Sequence, residues 1–431
     1  MRFVSARGIS RRSFLAAAAA GAAFSIVPRH VLGGPGRKAP SNVLTRGTIG
    51  TGGQGMGHVV ANAPDSPPAQ LAVCDVDRNR LALALQKAGP PCEGYGDFRR
   101  VLDRRDIDVI HIATPPHWHA LITLAAMQAG KDVFCEKPMT RFIREGQAVS
   151  DAASRYGRIV MHNTYGRGGW QKMRKLAASG LLGTPLAVYL GPATGYGFKV
   201  RQWSGRHHLE PQAVLPELDY DLWLGPAPYK PYHPHRVHGS FRGYWDYDGG
   251  GLTDMGQHWI DPVQYFLGKD DTGPVEVRTA APWPAHPDAC GLWGRIVLTY
   301  ADGTTVTLAS GEWGGPEPEN PPFIAGPNGK VFRGTRGNDT ADPPDLFDRM
   351  AGYADPPQLI HFGEAVRTRS RAPGEKPNAE EAHRSASLLH LANISIRTGR
   401  PIRWDPAAQQ VLGDAEANGL VDVPMRAPWH L

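Results

Sequence analysis

The chain has 431 residues, with 47 Lys+Arg against 41 Asp+Glu, a formal charge of +6 and a pI near 9.1. Its 41% hydrophobic and 9% aromatic content is that of ordinary globular domains, which excludes a largely disordered chain, a multi-span membrane protein and a small disulfide scaffold. Residues 1–40 hold seven of the basic residues and no acidic one, so the rest of the chain stands at 40 basic to 41 acidic. The positive charge belongs to a leader, and no nucleic-acid partner is implied.

The leader contains Ser10-Arg11-Arg12-Ser13-Phe14-Leu15, a twin-arginine pattern, followed by an Ala-rich apolar run to Val27. That run is about 15 residues, short of the ~20 needed to span a bilayer. It predicts a twin-arginine (Tat) signal peptide over 1–33, export to the periplasm or beyond, a Pro/Gly linker over 34–42, and no membrane insertion after leader removal. Cys74, Cys92, Cys135 and Cys290 are scattered and form no metal or redox motif.

From Val43 the chain reads as alternating strands and helices. A strand over 43–49 runs into Gly50-Thr51-Gly52-Gly53-Gln54-Gly55, a G-x-G-x-x-G. Its glycines would allow a tight turn, a close approach of backbone to pyrophosphate, and helix–strand packing. A second strand, Gln70–Cys74, ends in Asp75, placed to bind adenosine ribose hydroxyls and to repel a 2′-phosphate; NAD is therefore favoured over NADP, with Asp77 a second candidate. A helix starts at Phe98. The apolar run Val109–Ala113 has the character of a parallel strand buried on both faces. Thr114-Pro115-Pro116, a helix over His117–Gly130, and a strand over Asp132–Cys135 ending in Glu136-Lys137-Pro138 follow. Ligands of such sheets sit at the carboxyl ends of strands, so Thr114 and Lys137 point at the cofactor. This dinucleotide-binding domain is placed at 43–163.

Beyond it, residues 164–405 read as a second domain. Leu186–Leu190, Arg295–Tyr300 and Thr304–Leu308 are predicted strands of a mostly antiparallel sheet, the last two joined by a turn at Ala301-Asp302-Gly303. Residues 191–248 form a loop-rich insertion holding Trp203, Trp223, Tyr229, Tyr232, Tyr244, Trp245 and Tyr247. These aromatics suit sugar stacking and equally suit anchoring of the loop itself. His207, His208, His233, His235 and His238 match no standard zinc spacing, and no metal site is assigned. Residues 406–431 are a tail. The fold class is α/β: an N-terminal Rossmann domain and a C-terminal α/β domain with a large, open, mostly antiparallel sheet.

Three segments carry a family resemblance: Gly50–Gly55, Ala113-Thr114-Pro115-Pro116-His117-Trp118-His119, and Gly130–Pro138 ending in Glu136-Lys137-Pro138. Gly250-Gly251-Leu252-Thr253-Asp254-Met255-Gly256-Gln257-His258, Glu381–Ser385 and Gly399-Arg400-Pro401 add to them. Together they resemble the Gfo/Idh/MocA oxidoreductase family, and within it the exported, glucose–fructose oxidoreductase-like members. The resemblance implies a catalytic set of Lys137, Asp254 and His258, with Lys137 contacting nicotinamide and substrate. It implies a cofactor set of Gly50, Gly52, Gln54, Gly55, Met56, Asp75, Thr114, Pro115, His119, Glu136 and Lys137. A carbohydrate substrate, a final helix near 379–398 packing back on the first domain, and a homo-oligomer (dimer or tetramer) also follow from it. Asp254 and His258 are i and i+4, one face of a helix, where a His can accept the hydroxyl proton as hydride leaves the same carbon. Three activities compete. The leading one is an NAD(H)-dependent sugar, polyol or glycoside oxidoreductase with a retained, internally recycled cofactor. The second is glycoside cleavage through transient oxidation at C3. The third is a non-catalytic sensor, against which the retention of Lys137, Asp254 and His258 argues.

Overall fold

Short runs of Val, Ile, Ala and Cys build the first sheet in a computed structural model of the protein, which describes residues 42–63, 69–334 and 338–431. The segments expected to be a leader (1–33) and a linker (to residue 41) lie outside the described residues. Two units divide the chain. One takes Met1–Val43 with Ala63–Pro68; the other, Leu44–Asn62 with Ala69–Leu431, carries every element named below.

The first sheet comprises β1 (Arg46–Ile49), β2 (Gln70–Cys74), β3 (Glu93–Tyr95), β4 (Val109–Ile112), β5 (Asp132–Glu136) and β6 (Val160–Asn163), in the order β3-β2-β1-β4-β5-β6. All five pairings are parallel, the Rossmann arrangement, with its switch point between β1 and β4. β2 and β4 are buried at every residue, which is why they read as continuous apolar runs. Helices Gly53–His58, Arg78–Ala88, Phe98–Leu102, His119–Gln128 and Ile143–Tyr156 connect the strands. The expected helix over 117–130 begins instead as a 3₁₀ turn, Pro116–Trp118, with proline at its start, and becomes α-helical only at His119.

The second sheet is built from β7 (Ala187–Leu190), β8 (Glu276–Ala280), β9 (Arg295–Thr299), β10 (Thr305–Ala309), β11 (Ile324–Gly326), β12 (Gly329–Phe332), β13 (Thr340–Asp342), β14 (Ile402–Asp405) and β15 (Gln410–Val411). Its order is β13-β12-β11-β7-β10-β9-β8-β14-β15. Every neighbour is antiparallel except β10 with β7. The β9–β10 hairpin turns at Gly303, whose φ of 82° favours glycine.

One face of this sheet is covered by the helix Gly250–Leu267 and by Ala379–Thr398, their Leu252, Ile260, Phe266, Leu389 and Leu391 sharing a core with Leu298, Val306 and Phe323. The second helix starts with a capping box between Asn378 and Glu381. Its Ala379, Ala382 and Ala386 enter the core of the first sheet, so one rigid rod ties the two sheets together. Gly146 permits the approach: a Cβ there would lie 2.4 Å from His383 Nδ1. No helix among the described residues is long and apolar enough to cross a membrane.

Candidate active site

A cavity of about 340 Å³ runs across the carboxyl ends of β2, β1, β4 and β5, where Asp75, Gly50, Thr114 and Lys137 follow their strands. Its size lies in the range of small-molecule sites, ~300–1,000 Å³. Gly50 takes φ of 81°, and a Cβ on it would sit 2.6 Å from Thr114 N. A Cβ on Gly55 would sit 1.9 Å from Gly50 O. The turn is therefore closed on itself by glycines, and no side chain caps the first helix that follows it.

Asp75 organises the turn as well as facing the cavity. Its Oδ2 accepts from Thr51 N at 2.7 Å and Thr51 Oγ1 at 3.1 Å, and its Oδ1 accepts from Asp77 N at 2.9 Å. Oδ2 is filled by its two donors, while Oδ1 keeps a lone pair for a ligand hydroxyl. Asp77 is otherwise committed: it caps the helix Arg78–Ala88 and lies 3.0 Å from His238 Nε2. These features fit a dinucleotide, with the glycine turn and Asp75 at one end of the cavity and Lys137 at the other.

At the β5 end, Lys137 Nζ donates to Asp254 Oδ1 at 2.9 Å and Asp254 O at 2.7 Å. Arg242 Nε reaches the same Oδ1 at 2.5 Å. Burial opposes ionisation of Asp254, but Lys137 and Arg242 beside it hold its carboxyl below the usual range. Asp248, also in the cavity wall, moves the other way: burial, then the neighbouring Asp254 charge, pushes it up to about 6. Glu136 accepts from His58 Nε2 at 2.6 Å, Asn163 Nδ2 at 2.7 Å and Gln54 Nε2 at 3.2 Å. Burial works against its charge, yet His58 and these amides bring it down to about 2.

Of the residues expected at the site, Gly50, Gly52, Gln54, Asp75, Thr114, Pro115, Glu136, Lys137 and Asp254 line this one cavity. Gly55, Met56 and His119 stand behind its wall. Gly55 packs helix on turn, and Met56 joins Val59, Val73 and Ala84 in a small apolar cluster. His119 straps two wall segments together, its Nδ1 2.7 Å from Pro138 O and its Nε2 2.8 Å from Thr114 O. His258 lies on the helix Gly250–Leu267 with Asp254 but does not line the cavity. It stacks on Tyr165 at 3.7 Å and 5°, and burial, then the Lys137 charge, lowers it to about 3. Its imidazole is neutral at physiological pH.

The insertion divides along the two roles left open for it. Tyr232, Tyr244, Tyr247, Leu224 and Trp223 form a core of their own, so most of its aromatics are anchors. Only Trp223 of the seven faces the cavity, alongside Phe241, His238 and Arg242. His235 bonds Tyr244 Oη at 2.7 Å, and His207 stacks on His286 at 4.3 Å. Arg242, Asp248, His58 and Arg80 were not legible in the sequence. Arg242 sits in the short 3₁₀ turn Ser240–Gly243 and Asp248 just before the helix Gly250–Leu267; neither has a period to mark it, and the first reads only as one more Arg among aromatics.

Family profiles match both parts of the chain: "Oxidoreductase family, NAD-binding Rossmann fold" over residues 44–164 and "Oxidoreductase family, C-terminal alpha/beta domain" over 169–431. An inositol 2-dehydrogenase of Salmonella typhimurium is 28% identical over 43% of this chain and 56% of its own length. An alpha-N-acetylgalactosaminidase of Shewanella oneidensis is 33% identical over 30% of this chain and 31% of its own. The chain spans about half the length, or less, of these curated relatives. Among solved structures, the WlbA dehydrogenase of Bordetella pertussis, in complex with NADH and UDP-GlcNAcA, shares the fold with a TM-score of 0.55. It is 18% identical over 84% of this chain and 99% of its own.

Proposed function

The chain belongs to the Gfo/Idh/MocA oxidoreductase family, and from that premise we propose that it oxidises or reduces a hydroxyl-bearing carbon of a sugar, polyol or glycoside. The observation that carries the reading is the Lys137–Asp254–Arg242 cluster, set in the same cavity as the glycine turn and Asp75. Bound NAD supplies the acceptor or donor of hydride there.

The glycine turn and Asp75 hold the dinucleotide. Lys137, fixed by two bonds to Asp254, presents an N–H to the oxygen of the reacting carbon and steadies the charge that develops on it. Asp254 stays ionised between two cations, so it orients Lys137 and accepts from a second substrate hydroxyl. His258, stacked on Tyr165 behind the cavity wall and held neutral by burial and the Lys137 charge, is poorly matched to accept the hydroxyl proton. Arg242 sets the position of Asp254 from the insertion. The twin-arginine leader supports export, and an exported enzyme meets little free dinucleotide, which supports a cofactor that stays bound and is recycled by a second substrate. A homo-oligomer built on the open second sheet belongs to the same reading.

A second reading, glycoside cleavage through a transient ketone, is favoured by Asp248. Its carboxyl, raised to about 6 in the cavity wall, can carry a proton near neutral pH to a departing aglycone, and one curated relative is named as a galactosaminidase. One experiment separates the two. The full chain is assayed for bound NAD(H) after denaturation, then incubated with aldoses, polyols and glycosides while products are followed by mass spectrometry. Oxidised or reduced product supports the oxidoreductase. Aglycone released with no net redox change replaces it with the cleavage reading. Absence of dinucleotide binding refutes both.

A further inference from the structure

The helix Ala379–Thr398 turns one face, His390, Asn393, Ile394 and Arg397 at i, i+3, i+4 and i+7, toward a second cavity of about 100 Å³. This cavity shares no lining residue with the nucleotide cavity. Arg141, four residues after Lys137, also lines it and is only 6% exposed.

The polar groups here are unmatched. Arg141 gives its Nε to Trp245 O and lies over the Phe142 ring at 4.5 Å. Arg397 reaches Pro287 O only at 3.5 Å and lies over Trp245 at 5.0 Å. Among the described residues neither guanidinium has a carboxylate within ion-pairing distance. Asp246, the acidic residue of the wall, is turned to Lys230 at 3.5 Å. Both ring nitrogens of His390 and both amide atoms of Asn393 are buried without a hydrogen-bond partner, on side chains each 4% exposed. Burial weakens the charged form of both arginines. A buried cation without a partner is costly, and buried amides are normally bonded. Planar guanidinium forks match oxyanions.

We infer that this cavity binds a small oxyanion, of the size of phosphate or a short-chain carboxylate, between Arg141 and Arg397 with Asn393 donating. Ile394 and Leu420 in the wall would favour a carboxylate with a short aliphatic tail. The site is independent of the redox reading.

Calorimetric titration of the full chain in chloride buffer tests it, with inorganic phosphate in one arm and a series from acetate to butyrate in the other. Saturable binding is expected, with affinity rising along the series if the ligand is a carboxylate and highest for phosphate if it is not. Arg397→Gln should weaken binding at least about tenfold, and Asn393→Asp, which places a carboxylate in the cavity, should abolish it; affinity for NADH should not change in either. In chloride alone, Arg397→Gln should melt at or above the wild-type temperature, because an uncompensated cation has been removed, whereas an arginine serving only structure would melt lower. Absence of saturable binding of either anion up to about 10 mM, or equal binding by Arg397→Gln, overturns the inference.

Discussion

Two alanine substitutions, two residues apart in one short helix, should have opposite effects. Gly55 and Gly57 both lie in Gly53–His58. A Cβ on Gly55 would meet Gly50 O at 1.9 Å, more than 1 Å inside van der Waals contact, and Gly50 cannot retreat because its own Cβ position is 2.6 Å from Thr114 N. A Cβ on Gly57 meets nothing within 4 Å. Overpacking of this kind costs about 1–3 kcal/mol, and here it moves the turn that faces the dinucleotide. Gly55→Ala should therefore weaken NADH binding by about 5- to 150-fold and lower the melting temperature by several degrees. Gly57→Ala should stabilise by about 0.5–1 kcal/mol through helix propensity alone and leave the NADH dissociation constant unchanged. Fluorescence titration with NADH and thermal melts of the three proteins provide the measurements. Gly55→Ala binding NADH as tightly as the wild type would show that the glycine turn does not hold the dinucleotide.

Asp254→Asn keeps shape but removes the charge shared by Lys137 and Arg242; turnover should fall at least about 100-fold with NADH affinity preserved, as steady-state kinetics and titration would report. Arg167 is fully buried against Asp261 at 2.7 Å, Asp270 at 2.9 Å and Glu381 at 2.9 Å; Arg167→Met strands these carboxylates and should cost about 3–5 kcal/mol in urea denaturation, with part regained on adding Asp261→Asn. Glu145, buried while accepting from Arg141 N and Phe142 N, is pushed up by burial to about 7. A carboxyl raised in the folded state stabilises below its unfolded value and loses that contribution as pH rises through the folded one. Stability should thus fall by up to about 3 kcal/mol between pH 5 and 9 on this account, and Glu145→Gln should flatten that slope; an unchanged slope would mean the group titrates normally.

The first sheet was legible because its physics is local. Strands covered on both faces must be apolar throughout, and a turn meeting a dinucleotide must be glycine. The second sheet was legible only in its centre. β7, β9 and β10 alternate or carry a marked turn, whereas β11, β12 and β13 are three or four residues each with Gly, Lys and Asp among them. Strands that short are made by their neighbours, and no periodicity announces them. The parallel pairing of β10 with β7, between residues more than a hundred apart, has no signature in either segment.

The site divides in the same way. Lys137 and Asp254 stand in short motifs and come together as those motifs imply. Helical spacing placed His258 on the same face as Asp254, and it is; spacing says nothing of what covers that face, and Tyr165 lies on His258 while Arg242 and Lys137 lie on Asp254. The two carboxyls of the cavity differ for the same reason. Asp254 and Asp248 are six residues apart in one segment and share a cavity, yet two cations keep the first ionised while burial and the first's own charge push the second toward protonation. Neighbouring carboxyls driven apart in affinity would let one site hold both an ionised and a protonated group at one pH. The partition depends on Lys137 and then on Arg242, which enters from the 3₁₀ turn Ser240–Gly243 of the insertion. The electrostatics of this cavity is therefore set by the insertion as well as by the motifs that made the family recognisable.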